Sequence, residues 1–572
     1  MTLNLGTKRS PFDSPWLLGA LLFGFLVIWF YMLGARTLVP TDEGRYAEMA
    51  REMFVTGDWI TPRLNGIKYF EKPPLQAWMN TITFALFGVG DWQARLWTGL
   101  CGLLSIVAIG YTGHRLYGRR VGLVAAIVLA SSLLWAASSH FNSLDMGVAA
   151  MMSVSLCGLL LAQQNGASPT QQRNAMLICW LGMALAVLSK GLIGVVLPGA
   201  VLVIYTFVAR DWAIWTRLHL GKGLLLFFAV VTPWFVLVAM KNPEHPEFFF
   251  IHEHFQRFTS NVHKRYKPAT FFIPLLAIGI VPWLGLLLQS LTGALKKEGR
   301  GFQAQKMLLV WSVFIFAFFS ISNSKLTGYI LPIFPSLALL IALQIENGSR
   351  LHLKIAATFL ALLGLFGGVA VLLAPPYLRA KAMPEIEIGL NLAIMHWALA
   401  ACVMILVGGV VAWRLLTTDA TYRKDWAVLS LAISTYVAGQ TLMLGYEPWG
   451  FYRAGLNHLA AIQAELQPNT QLYSVGQYEQ CLPFYLAKTM TLVEFPDELA
   501  FGLQQEPHLW FEKRADFVER WKQQVNQGES AIALINPRIY KEFVAQGVPM
   551  RVLAQNTKRV IVSSLRTSNQ EK

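Results

Sequence analysis

The chain has 572 residues, of which 55% are hydrophobic and only 14% charged. Ordinary soluble domains are about 25% charged, so most of this chain is not a soluble globular protein. The formal charge of +15 does not point to nucleic acid, because the excess sits in short loops between apolar runs, where it sets membrane topology.

The first apolar run, residues 16–33, follows Lys8 and Arg9. It is too long for a signal-peptide core and more runs follow, so it reads as an uncleaved first span. Further runs of about 17–24 residues recur, each long enough for a bilayer core of roughly 30 Å. The expected spans lie near 16–38, 94–113, 121–139, 146–163, 175–190, 191–209, 223–241, 270–292, 307–322, 327–344, 354–374, 390–413 and 426–446. That makes about thirteen helices.

Segment 74–88 is apolar but short, and Pro73-Pro74 opens it. The distribution of basic residues decides its placement. If it does not span, the loops holding Arg115/Arg119/Arg120, Arg173, Arg210/Arg217/Lys222, Lys296/Lys297/Arg300/Lys306, Arg350/Lys354 and Arg414/Arg423/Lys424 all share the side of Lys8 and Arg9. That satisfies the positive-inside rule at every inner loop. Residues 39–93, 140–145, 242–269, 323–326, 375–389 and everything after 446 then face outward.

After Tyr446 no run is long enough to span. The stretches QLYSVG, TMTLVEF, SAIALIN, RVLAQ and RVIVSSL read as short strands. ADFVERWKQQVNQG and RIYKEFVAQG read as helices stopped by glycine. The expected organisation is therefore a membrane domain over residues 1–446 and an outer α/β domain over 447–572. The five cysteines show no even set and no Cys-x-x-Cys spacing, so neither a disulfide framework nor a zinc ribbon is expected.

The candidate chemistry lies on the outward side. In PTDEGRYAEMAREMF, Thr41 or Asp42 is placed to cap a helix starting at Glu43, which sets Asp42 and Glu43 at the membrane surface. An acidic residue there is often only a cap. Asp145 lies in a short turn between two spans, where charge is costly and is usually functional or paired. Lys72 precedes two prolines that fix the backbone direction. Arg257, Lys325 and Lys190 lie at other outer positions. Each cation alone could snorkel to the surface; together, beside two carboxylates and the basic loop 252–267, they suit an anionic ligand. His252, Glu253 and His254 form a His-x-His that could hold zinc with Glu71, although no cofactor is expected to be required.

No phosphate-cradling glycine loop and no hydrolase elbow stands where its chemistry needs it. That argues against an ATP-driven pump, a nucleotide-sugar enzyme with a Rossmann domain and an α/β hydrolase; on the outer side, where ATP and nucleotide sugars are not available, a lipid carrier is the natural source of a sugar. A lipid-carrier transporter would show charges buried mid-membrane and repeated halves; the notable charges instead gather at one face.

The loop PTDEGRYAEMAREMFVTGDWITPRLNGIKYFEKPPL resembles the first periplasmic loop of the 4-amino-4-deoxy-L-arabinose transferases that modify lipid A, members of the GT-C superfamily related to protein O-mannosyltransferases. The likeness continues in LSKGLIGVVLPG, FFFIHEHFQRF, IGIVPWLGLL, SNSKLTGYILPIFPSLALL and LPFYLAKTMTLVEFPDELAFGLQQEP. It implies a mainly α, polytopic GT-C fold with a periplasmic α/β domain, in the bacterial inner membrane. It implies transfer of aminoarabinose from undecaprenyl phosphate to a lipid A phosphate, conferring polymyxin resistance. By motif, Asp42 would be the main catalytic carboxylate and Asp145 a second. Lys72 and Arg257 would hold the carrier phosphate, with Tyr69 and Tyr329 lining the site and a metal near Glu71 and His252. The alternative within the same fold is a polyprenyl-phosphate hexose donor with a protein or glycan acceptor. A monomer is expected, since no span shows a dimer face.

Overall fold

The computed structural model describes residues 10–256, 267–296, 301–381 and 383–565. The chain divides into two compact units. The first comprises Met1–Ala35, Arg95–Ala382 and Asn391–Tyr446; the second comprises Arg36–Ala94, Met383–Leu390 and Glu447–Lys572.

Among the described residues, 10 helices are long and apolar enough to cross a membrane, from Pro15–Gly34 to Thr421–Arg453. Two further apolar segments are bent pairs of helices, each a broken span or a re-entrant loop. Arg119–Ser131 and Leu133–Ser139 meet at 68°, and Ala269–Gly279 and Leu284–Gly293 at 111°. The first break falls at Ser132, whose backbone is extended; the second holds Pro282, which has no N–H to continue a helix. Ile193–Ala209 is apolar but only 17 residues long. Every expected span is thus a helix, but three depart from one straight crossing. Segment 74–88 forms the helix Leu75–Phe87, whose 13 residues are too few to cross.

One helical hairpin in the first unit positions two charged side chains. Leu144–Gln163 and Pro169–Lys190 are joined by a short turn and a capping box at Ser168 and Gln171. Their backbones approach closely through two glycines. A Cβ at Gly158 would lie 2.6 Å from the backbone N of Cys179, and one at Gly182 2.7 Å from that of Ser155. Small residues at crossings are the usual means by which membrane helices pack, since lipid offers no hydrophobic drive between them.

The second unit is built on a sheet. Strands β1 (Arg63–Leu64) and β2 (Ile67–Lys68) make a tight hairpin. Strands β3 (Gln471–Val475), β4 (Thr491–Val493), β5 (Trp510–Phe511), β6 (Ala531–Ile535), β7 (Arg551–Gln555) and β8 (Val560–Ser563) form one sheet in the order β5-β4-β3-β6-β8-β7. The first four are parallel, while β8 and β7 run antiparallel. All the expected strands are present; β5, only two residues long, gave no signal of its own. Helices Arg514–Gln527 and Pro537–Ala545 end before Gly528 and close to Gly547, both with positive φ.

The central strands are buried on both faces, as parallel strands usually are. On one face Tyr473, Val475, Ala533 and Val562 pack with Phe517, Trp521 and Phe543. On the other, Leu472, Ile532, Leu534 and Ile561 share an apolar cluster with Ala47 and Ala50 of helix Asp42–Thr56, and with Leu482 and Met490. Part of this second layer comes from residues 36–94. Residues 36–94 group with the C-terminal part rather than with the membrane unit, because the sheet needs them to cover its other face.

Adding a branched side chain at this helix crossing tests the packing. Gly158→Val is expected to destabilise the detergent-solubilised protein by about 1–3 kcal/mol, read as a lower thermal unfolding midpoint.

Candidate functional site

In the first unit, the hairpin of Leu144–Gln163 and Pro169–Lys190 brings two charges to the same end. Asp145 lies in the first turn of Leu144–Gln163, and Lys190 is the last residue of Pro169–Lys190. Antiparallel helices of 20 and 22 residues necessarily place these positions side by side. A carboxylate at a helix N-terminus and an ammonium at a C-terminus each complement the helix dipole. Lys190 Nζ donates to Asp145 Oδ1, and both side chains are 13% exposed. The same ammonium lies 4.4 Å from the centroid of the Tyr329 ring, a cation–π contact.

Tyr329 belongs to the short helix Thr327–Ile333. Its neighbour Gly328 lets that segment come close, since a Cβ there would collide with the Asp145 carboxylate. Asp145, Lys190 and Tyr329 are therefore one cluster. Lys325 is held elsewhere. It is 4% exposed, and its ammonium donates to the carbonyls of Lys267, at 3.0 Å, and Ser322. These bonds tie the 322–326 turn to the segment at Lys267. His252 is exposed and its ring stacks on Phe248 at 5.1 Å. Arg257 lies outside the described residues.

In the second unit, Asp42 opens the helix Asp42–Thr56. The expected cap is not made, because Thr41 occupies the N-cap position without a side-chain hydrogen bond. The two neighbouring acids separate sharply in environment. Glu43 is fully buried; it pairs with Arg36 at 2.9 Å and accepts from the Val39 amide at 3.0 Å. Asp42 keeps 34% of its side chain exposed. Glu43 is thus structural, and Asp42 is the carboxylate that can meet a ligand.

Arg45, one turn on, lies 3.4 Å from Asp42 and 2.6 Å from Glu498. Glu498 in turn accepts from Gln480 at 2.8 Å. Sequence reading missed Arg45, although its i,i+3 spacing from Asp42 is the available signal. Nothing in the sequence brings in Glu498.

Strand β2 leads directly into Tyr69, Glu71 and Lys72. Tyr69 is buried, and its hydroxyl has no hydrogen-bond partner among the described residues. Burial and nearby Glu71 push its pKa well above the usual phenol value. The group therefore stays an O–H donor, suited to an anionic oxygen. Lys72 Nζ donates to the Glu71 carbonyl at 2.7 Å and lies 3.8 Å from the Glu71 carboxylate. Among the described residues no group of three or more His, Cys, Asp or Glu side chains gathers to hold a metal ion.

Each unit thus carries a carboxylate, an ammonium and a tyrosine, in a multi-pass membrane protein whose sequence has no nucleotide-cradling turn. That is the equipment of a membrane-bound glycosyltransferase that draws on a lipid-phosphate carrier.

Comparison with known proteins agrees. Residues 458–564 match the aminoarabinose transferase C-terminal domain, and residues 71–237 match the dolichyl-phosphate-mannose-protein mannosyltransferase family. An undecaprenyl phosphate-α-4-amino-4-deoxy-L-arabinose arabinosyl transferase of Edwardsiella ictaluri is 31% identical over 391 residues, covering 66% of this chain and 69% of that one. The corresponding Pseudomonas aeruginosa protein is 31% identical over 421 residues, covering 72% and 74%. The crystal structure of ArnT from Cupriavidus metallidurans bound to undecaprenyl phosphate superposes with a TM-score of 0.90 at 37% identity, over 97% of this chain and 99% of that one. The chain belongs to the undecaprenyl phosphate-α-4-amino-4-deoxy-L-arabinose arabinosyl transferase family.

The Asp145–Lys190 pair is open to a double-mutant cycle. Asp145→Asn and Lys190→Met each remove one charge of the pair at a membrane edge. Their combined cost in thermal unfolding is expected to fall short of the sum by about 0.5–3 kcal/mol.

Proposed function

We propose that this protein transfers 4-amino-4-deoxy-L-arabinose from undecaprenyl phosphate to a phosphate of lipid A, at the periplasmic face of the bacterial inner membrane. The observation that carries this reading is the full-length likeness to an ArnT bound to undecaprenyl phosphate. The positive-inside distribution supports the orientation, since it puts Asp42, Lys72, Asp145 and Lys190 on the outer side.

In this reading an oxygen of the acceptor phosphate attacks the anomeric carbon. The bond from that carbon to the carrier phosphate oxygen breaks, and undecaprenyl phosphate leaves with the electron pair. Charge grows on the leaving phosphate, so cations and donors aimed at it lower the barrier. Lys72, Lys190 and Arg257 supply the cations; Tyr69 supplies a buried O–H and Tyr329 an aromatic wall. The acceptor phosphate is already ionised near neutral pH, its second pKa being about 6. No strong general base is needed. Asp42 and Asp145 then serve to orient the reactants and to meet the cationic amino group of the sugar. The lysines and Arg257 supply the positive charge, so we propose that no metal is required and that the enzyme works as a monomer. A single displacement inverts the anomeric configuration.

The match of residues 71–237 to a mannosyltransferase family supports a second reading, with a polyprenyl-phosphate hexose as donor and a protein hydroxyl as acceptor. There Asp42 would act as a general base.

Both readings meet one experiment in a Gram-negative host that makes the aminoarabinose carrier but lacks its own transferase. Expression of the wild type is expected to add aminoarabinose to lipid A, seen by mass spectrometry, and to restore polymyxin resistance. Asp42→Asn, which loses the orienting charge, is expected to lose about 100-fold in transfer while still inserting in the membrane. EDTA is expected to leave transfer by the purified enzyme unchanged. Unmodified lipid A from a folded wild type would sink the first reading and leave the second.

A further inference from the structure

Helix Asp42–Thr56 carries a second acidic pair, on residues to which the proposed transfer gives no part. Glu48 is fully buried and Glu52 is 6% exposed. Arg51 grips Glu48 through two hydrogen bonds of 2.6 Å. Glu52 Oε2 accepts the amide of Gly66 at 2.8 Å. That amide sits in the Asn65-Gly66 turn between β1 and β2, where both residues have positive φ, as a tight hairpin turn requires.

The other oxygen of Glu52 is buried and has no donor among the described residues. Its neighbour is Glu48, itself an acceptor unless a proton lies between them. Arg51 bonds Glu48 and not Glu52 among the described residues, so two buried carboxylates one helical turn apart cannot comfortably both be ionised. A proton on Glu52 removes the conflict, because the carboxyl then donates to Glu48 while its second oxygen still holds Gly66.

Among the described residues, no cation of the other elements packed on this helix forms an ion pair with Glu52. Tyr478, after β3, faces the pair and is neutral. Arg63 of the hairpin is turned to the Gly66 carbonyl and Glu506. Tyr485 is bonded to Asp91 and to the Leu38 amide. Helix Leu75–Phe87 has no titratable side chain.

We infer that Glu52, sharing a proton with Glu48, is a positioning residue: it pins the β1–β2 hairpin, and with it Tyr69 and Lys72, to the helix that carries Asp42, and releases it when the proton is lost. The role in transfer rests on the proposed function; the pin itself does not. Burial and the Glu48 charge push Glu52 up to about 8. A carboxyl raised in this way stabilises the fold fully at acid pH, and loses that contribution as pH rises through about 8. The hairpin is therefore held at neutral and acid pH and freed in alkali.

The test is hydrogen exchange of the 63–72 segment in the full-length protein, corrected for intrinsic rates, between pH 6 and pH 9.5. The wild type is expected to lose about tenfold of its protection across the range. Glu52→Gln supplies a permanent donor and acceptor, so it is expected to stay protected throughout. Glu52→Ala is expected to be unprotected even at pH 6. Equal pH dependence in wild type and Glu52→Gln would overturn the inference, and so would a Glu52→Ala variant as protected as the wild type. Transfer rates measured in parallel should follow the same order, mainly through KM for the carrier lipid. The expected exchange pattern in a wild type that transfers no aminoarabinose would support the pin while defeating the functional reading.

Discussion

A peptide group inside hydrocarbon has no water to bond, so the chain can cross a bilayer only in structures that satisfy their own backbone. This constraint shapes the first unit. Its spans are helices, and their faces need only be apolar and small enough to pack. Polar chemistry is pushed to the helix ends. Asp145 and Lys190 occupy such ends, and the hairpin geometry that joins them follows from two helices of nearly equal length and a five-residue connection, 164–168. The pair is thus a product of the same rule that makes the membrane unit.

Neutralising each other also makes these charges tolerable where they are. An isolated ion at a membrane edge is costly, whereas the pair is shielded and backed by the Tyr329 ring. A doubly charged phosphate arriving beside Lys190 would compete with Asp145 for the ammonium. The cation is held by a carboxylate and an aromatic face, whereas Lys325 is bound by two backbone carbonyls. The contrast between these two lysines separates a candidate ligand from a structural clasp more firmly than their positions in the sequence do.

The membrane spans were legible because a run of apolar residues is a strong signal and because the bilayer fixes its length. The strands of the second unit were legible from short β-branched runs between turn residues. Three things were not. The breaks at Ser132 and near Pro282 are local backbone choices within apolar runs, and hydropathy is blind to them. The union of residues 36–94 with the C-terminal sheet depends on contacts far apart in sequence, such as Asn65 with Met490, 425 residues away. The Arg45–Glu498 pair is hidden for the same reason. Of the candidate site, the residues on recognisable motifs could be found from sequence. Which of them face a ligand, and which bind the fold together, could not.

Asp42 and Glu43 show how small that difference is in sequence and how large in space. They are adjacent, carry the same charge and share the first turn of one helix. Successive helical residues point about 100° apart, so one carboxylate turns into the protein and the other toward its surface. Glu43 spends its oxygens on Arg36 and on the Val39 amide. Asp42 touches Arg45 only at 3.4 Å, while Arg45 makes its shorter bond to Glu498. The arginine therefore holds Asp42 loosely and leaves most of its hydrogen-bonding capacity open. A carboxylate that is anchored in place yet not consumed by its anchor is what orientation of a charged substrate requires, and a neighbour of identical chemistry does the anchoring of the helix itself.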